Sequence, residues 1–274
     1  MPQQPSFPPE VLAVLGEVYT ITSPKQGATS QVWIVECAAG VRVVKYAQNV
    51  PYVDWLMREG FVLKVFSRGV GFGKNEREIT FPFPKLYLDG TNLDDPPIPY
   101  LVMSCLPGEP LSTVFLRETD PDKRLHWMSK FGTVLRQIHD TPATLVLRYR
   151  IPWLDERLTT AASYIEAGFD LDTDDPARLL DKLRSNQPTP VRQRLIHGDF
   201  MWDNVLVEDG EITGIVDWGG SAYGDPRYDL ALAILPHEDG ELSDAEVAAF
   251  YAAYGCEPLT DAEYRYFSDL YGFF

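Results

Sequence analysis

The sequence predicts an α+β protein of two lobes, with a five-stranded antiparallel sheet and one helix in the N-terminal lobe and mainly helices in the C-terminal lobe. Three observations predict this fold. Short β-branched runs bounded by turn-forming residues recur before residue 104. Apolar residues recur at helical spacing through most of the remainder. The Pro- and Gly-containing segment Ser104–Leu111 lies between these regions, so we expect lobes of residues 1–104 and 105–274.

Composition limits the class of protein. The 274 residues include 45% hydrophobic residues, which is enough to bury a core in one large domain or two lobes. The net charge of −16 argues against a nucleic-acid partner, because neutralising phosphates requires a basic surface. The same charge would attract a cationic ligand, although acidic surfaces also serve solubility alone.

The cysteines and the chain start bear on location. Three cysteines at scattered positions, Cys37, Cys105 and Cys256, predict neither a disulfide framework nor a metal cluster, so we expect a reducing compartment. The first residues lack the basic and apolar regions of a signal peptide. No run is apolar enough to predict a membrane span. We therefore expect a soluble, cytoplasmic protein with no membrane partner.

The first elements end at a small-residue loop. The sequence predicts a short helix and then three strands: Glu10–Leu15, Val18–Ile21, Val32–Cys37 and Val41–Tyr46. The loop Thr22–Ser30 is rich in residues that could lay backbone N–H groups against phosphates. Ser30 is therefore a candidate nucleotide contact, although the loop matches neither a Walker A motif nor the three-glycine pattern of protein kinases.

Lys45 and Glu59 form a candidate pair. Lys45 ends the third predicted strand, and Glu59 lies on a predicted helix over Val53–Phe66. A lysine at this position can reach nucleotide phosphates if a carboxylate holds it. The alternative is that both are ordinary solvated surface charges, which is the commoner fate of a single pair.

Two more strands would complete the sheet. Phe83–Tyr87 and Tyr100–Met103 predict them, with the turn Asp94–Pro97 in between. The stiff segment after Met103 is where a connection between lobes would offer backbone groups to a nucleotide base. Met103 and Cys105 are therefore candidate nucleotide contacts.

The second half is mainly helical. Helical spacing and capping-box patterns predict helices over Arg124–His139, Leu154–Glu166, Pro176–Leu183, Asp229–Leu235, 244–254 and 261–271. His139 closes the first of these helices, and we interpret it as a helix-end residue rather than a catalyst.

The most informative segment runs from His197 to Asp217. Asp199 could accept a proton from an attacking hydroxyl, and Asn204, five residues later, could offer an amide oxygen to Mg²⁺. Asp217 ends a β-branched run and could supply a carboxylate to the same ion. The run between Asn204 and Asp217 predicts a hairpin around Asp209–Gly210, which would bring both ligands together. Such positioning and charge neutralisation serve phosphoryl transfer.

A structural interpretation of the same residues exists. Asp199 and Asn204 could cap a turn, and Asp217 could cap a following helix. The catalytic interpretation is favoured because four features occur together at the expected spacing: the His-x-Asp, the Asn, the hairpin and the Asp-Trp-Gly.

With these motifs, the chain resembles the aminoglycoside phosphotransferase and choline-kinase superfamily, which shares the two-lobed protein-kinase-like fold. The resemblance spans nearly the whole length and is strongest over Leu195–Leu232. It implies the roles already given for the five motif residues, namely Lys45, Glu59, Asp199, Asn204 and Asp217. It also implies that Asp229 supports the catalytic loop. Gly198 replaces the arginine of ordinary protein kinases.

The C-terminal third looks like the ending of the 3′-type aminoglycoside kinases. That resemblance implies substrate contacts from Glu238, Asp239 and the terminal Phe274, and places Asp172 in an acidic substrate loop. Several relatives have an acidic residue where this chain has Gly272. Glu238 and Asp239 could equally be a polar loop that favours a following helix N-terminus.

We therefore expect a small-molecule kinase that uses ATP or GTP with Mg²⁺. Its acceptor would be a hydroxyl of a small cationic molecule, with an aminoglycoside antibiotic as the leading candidate and resistance as its consequence. The alternatives are a kinase of the same fold acting on choline, homoserine, a sugar, a macrolide or hygromycin, or a non-catalytic nucleotide-binding module. The complete set of five motif residues argues against the module.

Overall fold

The computed structural model describes residues 6–24, 30–47, 52–69, 79–92, 98–142, 151–236 and 241–274. The first part of the chain forms α1 (Pro9–Leu15), β1 (Val18–Thr22), β2 (Ser30–Cys37), β3 (Gly40–Ala47), α2 (Tyr52–Ser67), β4 (Leu86–Asn92) and β5 (Ile98–Ser104). The five strands form one antiparallel sheet in the order β1-β2-β3-β5-β4, as predicted.

Helices cover both faces of this sheet. Val11 and Leu15 of α1 pack against one face, in a cluster that includes Val102 of β5. Leu63 of α2 packs on the other face in a cluster with Met103. Side chains alternate between the faces of a strand, so both sets of β5 residues are buried. The continuous apolar run of β5 is explained by its burial on both faces of the sheet.

The fourth strand is a correction to the sequence prediction. It begins at Leu86 and not at Phe83, because Pro84 has no N–H group to donate to a sheet. Phe83 instead packs edge-on against Phe66, with ring centroids 5.3 Å apart. The predicted turn Asp94–Pro97 lies outside the described residues.

The rest of the chain is mainly helical. Its helices are α3 (Leu111–Arg117), α4 (Pro121–Asp140), α5 (Trp153–Ala167), α6 (Pro176–Ser185), α7 (Pro226–Ala233), α8 (Asp244–Tyr254) and α9 (Asp261–Tyr271). Short strands form two small sheets: β6 (Glu109–Pro110) with β8 (Val205–Glu208) and β9 (Glu211–Ile215), and β7 (Arg194–Ile196) with β10 (Ala222–Gly224). No helix in the described stretches has both the length and the apolar content needed to cross a bilayer.

Capping residues define where several of these helices begin. Both predicted capping boxes are present, with Ser243 and Thr260 each bonded to a glutamate three residues later. Helix α7 begins earlier than predicted, because Asp225 caps it and Pro226 occupies its first turn. Helix α3 was not predicted from the sequence, and it begins without a side-chain cap.

One continuous core joins the two halves and holds the loop that follows β7. Phe200 in that loop stacks on Phe131 of α4, with centroids 4.5 Å apart and planes 14° from parallel. Phe131 also contacts Phe250 of α8. Helices α4 and α8 approach closely at Gly132, where a Cβ atom would overlap the backbone oxygen of Phe250. The loop is therefore fixed by the largest cluster of buried side chains.

Candidate active site

A buried carboxylate holds the His197–Asp199 loop. Asp229 of α7 has no exposed surface, and its Oδ2 and Oδ1 accept hydrogen bonds from the backbone N–H groups of His197 (2.6 Å) and Gly198 (2.8 Å). His139 Nε2 also donates to Asp229 Oδ2 (3.1 Å), and its Nδ1 lies 2.8 Å from the Tyr254 hydroxyl. His139 closes α4 as expected, and it also belongs to this support.

Gly198 is required by its backbone. Its φ is +83°, a conformation that side chains disfavour. A Cβ atom there would overlap the backbone of Gly220, which follows Asp217 in the 3₁₀ turn Trp218–Gly220. The loop thus touches the segment that carries Asp217, and a residue with a side chain has no room between them.

Asp199 lies between two hydrogen-bond donors. Asn204 Nδ2 donates to Asp199 Oδ2 (2.8 Å) and to its backbone oxygen (2.8 Å). The Tyr271 hydroxyl donates to the other carboxylate oxygen, Oδ1 (3.2 Å). Burial raises the pKa of Asp199 to about 7, and the charge of Asp217 adds to the shift, while the bonds from Asn204 and Tyr271 oppose it. A carboxylate with such a pKa can exchange a proton near neutrality.

The predicted hairpin brings Asp217 back to Asn204. Strands β8 and β9 pair from Val205 with Ile215, and the turn has positive φ at Asp209 (51°) and Gly210 (81°), as an Asp-Gly turn requires. The N–H of Val216 then donates to the backbone oxygen of Asn204 (2.9 Å).

Trp218 anchors the residue that precedes it. Its buried ring lies 4.5 Å from the His197 ring and 4.8 Å from that of Phe66 in α2. Asp217 itself has φ +63°, a left-handed conformation that Asp tolerates better than most residues. Through Trp218, the backbone of Asp217 is thus held next to both the His197–Asp199 loop and helix α2 of the sheet lobe.

Lys45 joins the two halves through charge. Its Nζ lies 3.1 Å from both carboxylate oxygens of Glu59 and also contacts Asp217 Oδ1. The Lys45 side chain is 7% exposed, whereas that of Asp217 is 49% exposed. Burial alone would lower the pKa of Lys45, but the carboxylates of Asp217 and Glu59 outweigh it and raise that pKa. The lysine therefore stays charged, and the ordinary surface-pair interpretation is wrong.

The side-chain oxygens of Asn204 and Asp217 are suitable ligands for a magnesium ion. Asn204 uses its amide nitrogen on Asp199, which leaves its amide oxygen for a cation, and the Asp217 carboxylate is half-exposed. Magnesium commonly takes one or two such ligands and completes its shell with phosphate oxygens and water. In the described stretches, no three His, Cys, Asp or Glu side chains cluster as metal ligands.

A cavity of about 660 Å³ is lined in part by Tyr271, whose hydroxyl bonds to Asp199. Its walls are mainly aromatic, with two acidic residues: Tyr52, Trp55, Tyr164, Gly168, Phe169, Asp170, Leu171, Asp172, Tyr271, Gly272, Phe273 and Phe274. The ring of Phe274 stacks near Trp55, at 6.4 Å between centroids, and the Arg157 guanidinium lies 4.8 Å from it. Two predicted substrate contacts, Asp172 and Phe274, thus line one cavity.

The other predicted contacts lie elsewhere. Ser30 begins β2, and the side chain of Met103 is buried in the core, so only its backbone could face a ligand. Cys105 follows β5 and is half-buried. Glu238 and Asp239 lie outside the described residues, so their roles stay predictions.

Tyr271 and the aromatic cavity wall were not predicted from the sequence. Aromatic residues at helical spacing in α9 are typical of a core face, and nothing local marks Tyr271 as different. Its contact with Asp199 joins residues 72 positions apart. Trp55 likewise lies on α2 among residues that the pattern assigns to packing.

A sheet lobe with a buried Lys–Glu pair, set above a loop with Asp199, Asn204 and Asp217, defines a kinase-like protein. The chain belongs to the phosphotransferase enzyme family (APH), whose model matches residues 20–267. The resemblance described from the sequence is thereby confirmed.

Curated relatives are similar over part of their length. A homoserine kinase of Neisseria meningitidis serogroup B is 31% identical over 50% of this chain and 46% of its own. An aminoglycoside 3'-phosphotransferase of Enterococcus faecalis is 27% identical over 58% of this chain and 61% of its own. The chain thus spans about half to three fifths of the length of these relatives.

Solved structures share the fold more completely. The aminoglycoside-3'-phosphotransferase of type VIII superposes with a TM-score of 0.71 at 23% identity, covering 94% of this chain and 93% of that one. The GDP and kanamycin complex of APH(2")-IIia gives 0.66 at 19% identity, covering 96% and 86%. At these identities the likeness shows the fold, which is the α+β, two-lobed, kinase-like fold expected from the sequence.

Gly198→Ala should destabilise the protein more than Gly210→Ala. Both residues have φ near +80°, so alanine is strained at either position by about 1–2 kcal/mol. At Gly198 the new Cβ atom would also overlap the backbone of Gly220. At Gly210 no atom lies within 4 Å of the new Cβ atom. Urea unfolding followed by circular dichroism measures both changes. Equal losses of unfolding free energy would show that the Gly198–Gly220 contact imposes no constraint.

Proposed function

We propose that this protein transfers the γ-phosphoryl group of ATP or GTP to a hydroxyl of a small cationic molecule, with an aminoglycoside as the leading acceptor. One observation carries the proposal. The Asp199 carboxylate accepts one hydrogen bond from Asn204, a candidate Mg²⁺ ligand, and another from Tyr271, which lines the cavity. A base between a metal-phosphate site and an acceptor cavity is what phosphoryl transfer to an alcohol needs.

The chain's own residues account for each requirement of this reaction. Asp199 accepts the hydroxyl proton as the acceptor oxygen bonds to the γ-phosphorus, and the nucleoside diphosphate leaves with the electrons of the broken bond. Lys45, held by Glu59, faces the phosphates with a fixed positive charge. Asn204 and Asp217 would hold Mg²⁺, which when bound neutralises charge on the phosphates. Solved structures of similar fold are complexes with GDP or with AMP-PNP, which supports a nucleotide donor.

The cavity supports a cationic acceptor. Asp170 and Asp172 lie in its wall, and carboxylates form strong, charge-assisted hydrogen bonds with ammonium groups. The net charge of −16 would also draw cations toward the protein. Three relatives are named aminoglycoside 3'-phosphotransferases, which favours an aminoglycoside.

A second candidate acceptor is a small hydroxy amino acid such as homoserine. Two relatives that match half or more of this chain are named homoserine kinases, at 31% and 27% identity. The aromatic wall of Tyr52, Trp55 and Tyr164 can flank a single ammonium group by cation–π attraction. An acceptor with one amino group needs fewer carboxylates than a polycationic antibiotic does.

The proposed enzyme has two lobes and works in the cytoplasm. We place the lobe boundary at 104/105, since β5 ends at Ser104 and the mainly helical half begins after it. We also place the enzyme in the cytoplasm, where nucleotides are available. The free thiols of Cys37, Cys105 and Cys256 are compatible with such a reducing compartment.

Asp199→Asn should abolish most turnover while nucleotide binding persists. The amide keeps the shape of the carboxylate but cannot accept the hydroxyl proton, so kcat should fall by about 10² to 10⁴-fold. Coupled detection of the released diphosphate measures kcat, and calorimetry measures nucleotide affinity. Asp209→Asn, in the exposed hairpin turn, removes the same charge and should leave both values unchanged. Near-normal kcat in the Asp199 variant would disprove the assigned base.

Asp172→Asn should raise KM for a cationic acceptor about tenfold with little change in kcat, because it removes one charge-assisted bond. Asp174→Asn is the matched control, since Asp174 lies in the same loop but outside the cavity wall. Phosphate transfer from ATP and GTP is measured with kanamycin, hygromycin B, a macrolide, homoserine and choline. Transfer to homoserine but to no aminoglycoside would replace the leading acceptor with the second one. Equal KM changes in both variants would exclude Asp172 as a contact.

A further inference from the structure

The Tyr271 hydroxyl makes an unusual pair of contacts for a residue at a helix end. It donates toward Asp199 Oδ1 and toward the sulfur of Met201, each at 3.2 Å. Its ring also forms part of the cavity wall together with Asp172 and Phe274. Tyr271 is thus the residue that joins the base to the acceptor cavity.

The two oxygens of the Asp199 carboxylate have different partners. Its Oδ2 accepts a hydrogen bond from Asn204 Nδ2 at 2.8 Å. Its Oδ1 meets the Tyr271 hydroxyl instead. An acceptor hydroxyl that comes from the cavity has to reach Oδ1 to give up its proton. The two hydroxyl groups therefore compete for the same oxygen.

Tyr271 is held in this position by its neighbours. Leu270 and Phe273, on either side of it, are buried in the C-terminal core cluster. The N–H of Phe274 donates to the Tyr271 carbonyl at 2.8 Å. The adjoining Gly272 lies close to the backbone oxygen of Asp172, so an acceptor bound at the acidic loop arrives beside Tyr271.

We propose that the Tyr271 hydroxyl is a placeholder for the acceptor hydroxyl, which keeps water away from Asp199 until an acceptor displaces it. This inference rests on the proposed phosphotransferase function. It assigns to Tyr271 the suppression of nucleotide hydrolysis, and so the ratio of transfer to hydrolysis. Tyr271 is a positioning residue in this scheme, because its own oxygen forms no bond to phosphorus.

The suppressed reaction is simple. A water oxygen would bond to the γ-phosphorus while the bond from that phosphorus to the bridging oxygen breaks. The water proton would pass to Asp199 Oδ1, and inorganic phosphate and the nucleoside diphosphate would leave. Water needs the same carboxylate oxygen as the acceptor does, so a phenol hydroxyl already bonded there competes with it for that oxygen.

Tyr271→Phe tests this role, since it removes the hydroxyl and keeps the ring in the cavity wall. Without an acceptor, phosphate release from ATP should rise about fivefold or more, while kcat for transfer to the best acceptor falls by less than about threefold. Tyr266→Phe is the matched control, because it removes a buried hydroxyl from α9 in the C-terminal core. It should change neither rate. The Asp199→Asn, Tyr271→Phe double variant should lose the added hydrolysis, because that hydrolysis depends on the base.

The outcomes separate this inference from the function on which it rests. If the wild-type protein transfers phosphate but Tyr271→Phe hydrolyses ATP no faster, the placeholder role is overturned and the proposed function stands. If hydrolysis and transfer both fell in Tyr271→Phe, the placeholder role would also be overturned, because Tyr271 would then have a purely structural role. Phosphate found on Tyr271 by mass spectrometry would show that the hydroxyl is a substrate instead. If the wild-type protein turns over no nucleotide with any acceptor, both proposals fail.

Discussion

The buried carboxylate of Asp229 is the constraint on which the site depends. A carboxylate without exposed surface must have its oxygens hydrogen-bonded, and here the partners are two successive backbone N–H groups and the ring of His139. Because the amides belong to His197 and Gly198, the bonds fix the chain immediately before Asp199. The positive φ at Gly198 and its close approach to Gly220 then pass this constraint to the segment that carries Asp217.

From this fixed point, the site extends in two directions with different chemistry. Toward the sheet lobe, Lys45 and Glu59 meet the half-exposed Asp217, so positive and negative charges are arranged where phosphates and a metal would need them. Toward the last helix, Asp199 is bonded to Tyr271, which lines a mainly aromatic cavity with two carboxylates in its described wall. In the proposed reaction, the charges that would serve the nucleotide thus lie apart from those that would select an acceptor.

Local signals made much of this predictable from the sequence. The hairpin follows from β-branched runs around an Asp-Gly turn, and the last two helices follow from their capping boxes. What could not be predicted depends on contacts between distant residues. The bond from Tyr271 to Asp199 and the bond from His139 to Asp229 have no local signature, since both residues look like ordinary members of a helix. The predicted start of β4 at Phe83 was wrong, because Pro84 has no N–H group to donate to the sheet.

Hydrogen exchange at the His197 and Gly198 amides tests most directly whether Asp229 holds the loop. The measurement compares the wild-type protein with Asp229→Asn, in which an amide nitrogen must face one of the backbone donors. The account predicts that both amides exchange at least about tenfold faster in the variant, a loss of about 1.4 kcal/mol or more of local protection. The amides of α4 near Phe131 should keep their wild-type rates. Equal protection of His197 and Gly198 in the two proteins would contradict the account.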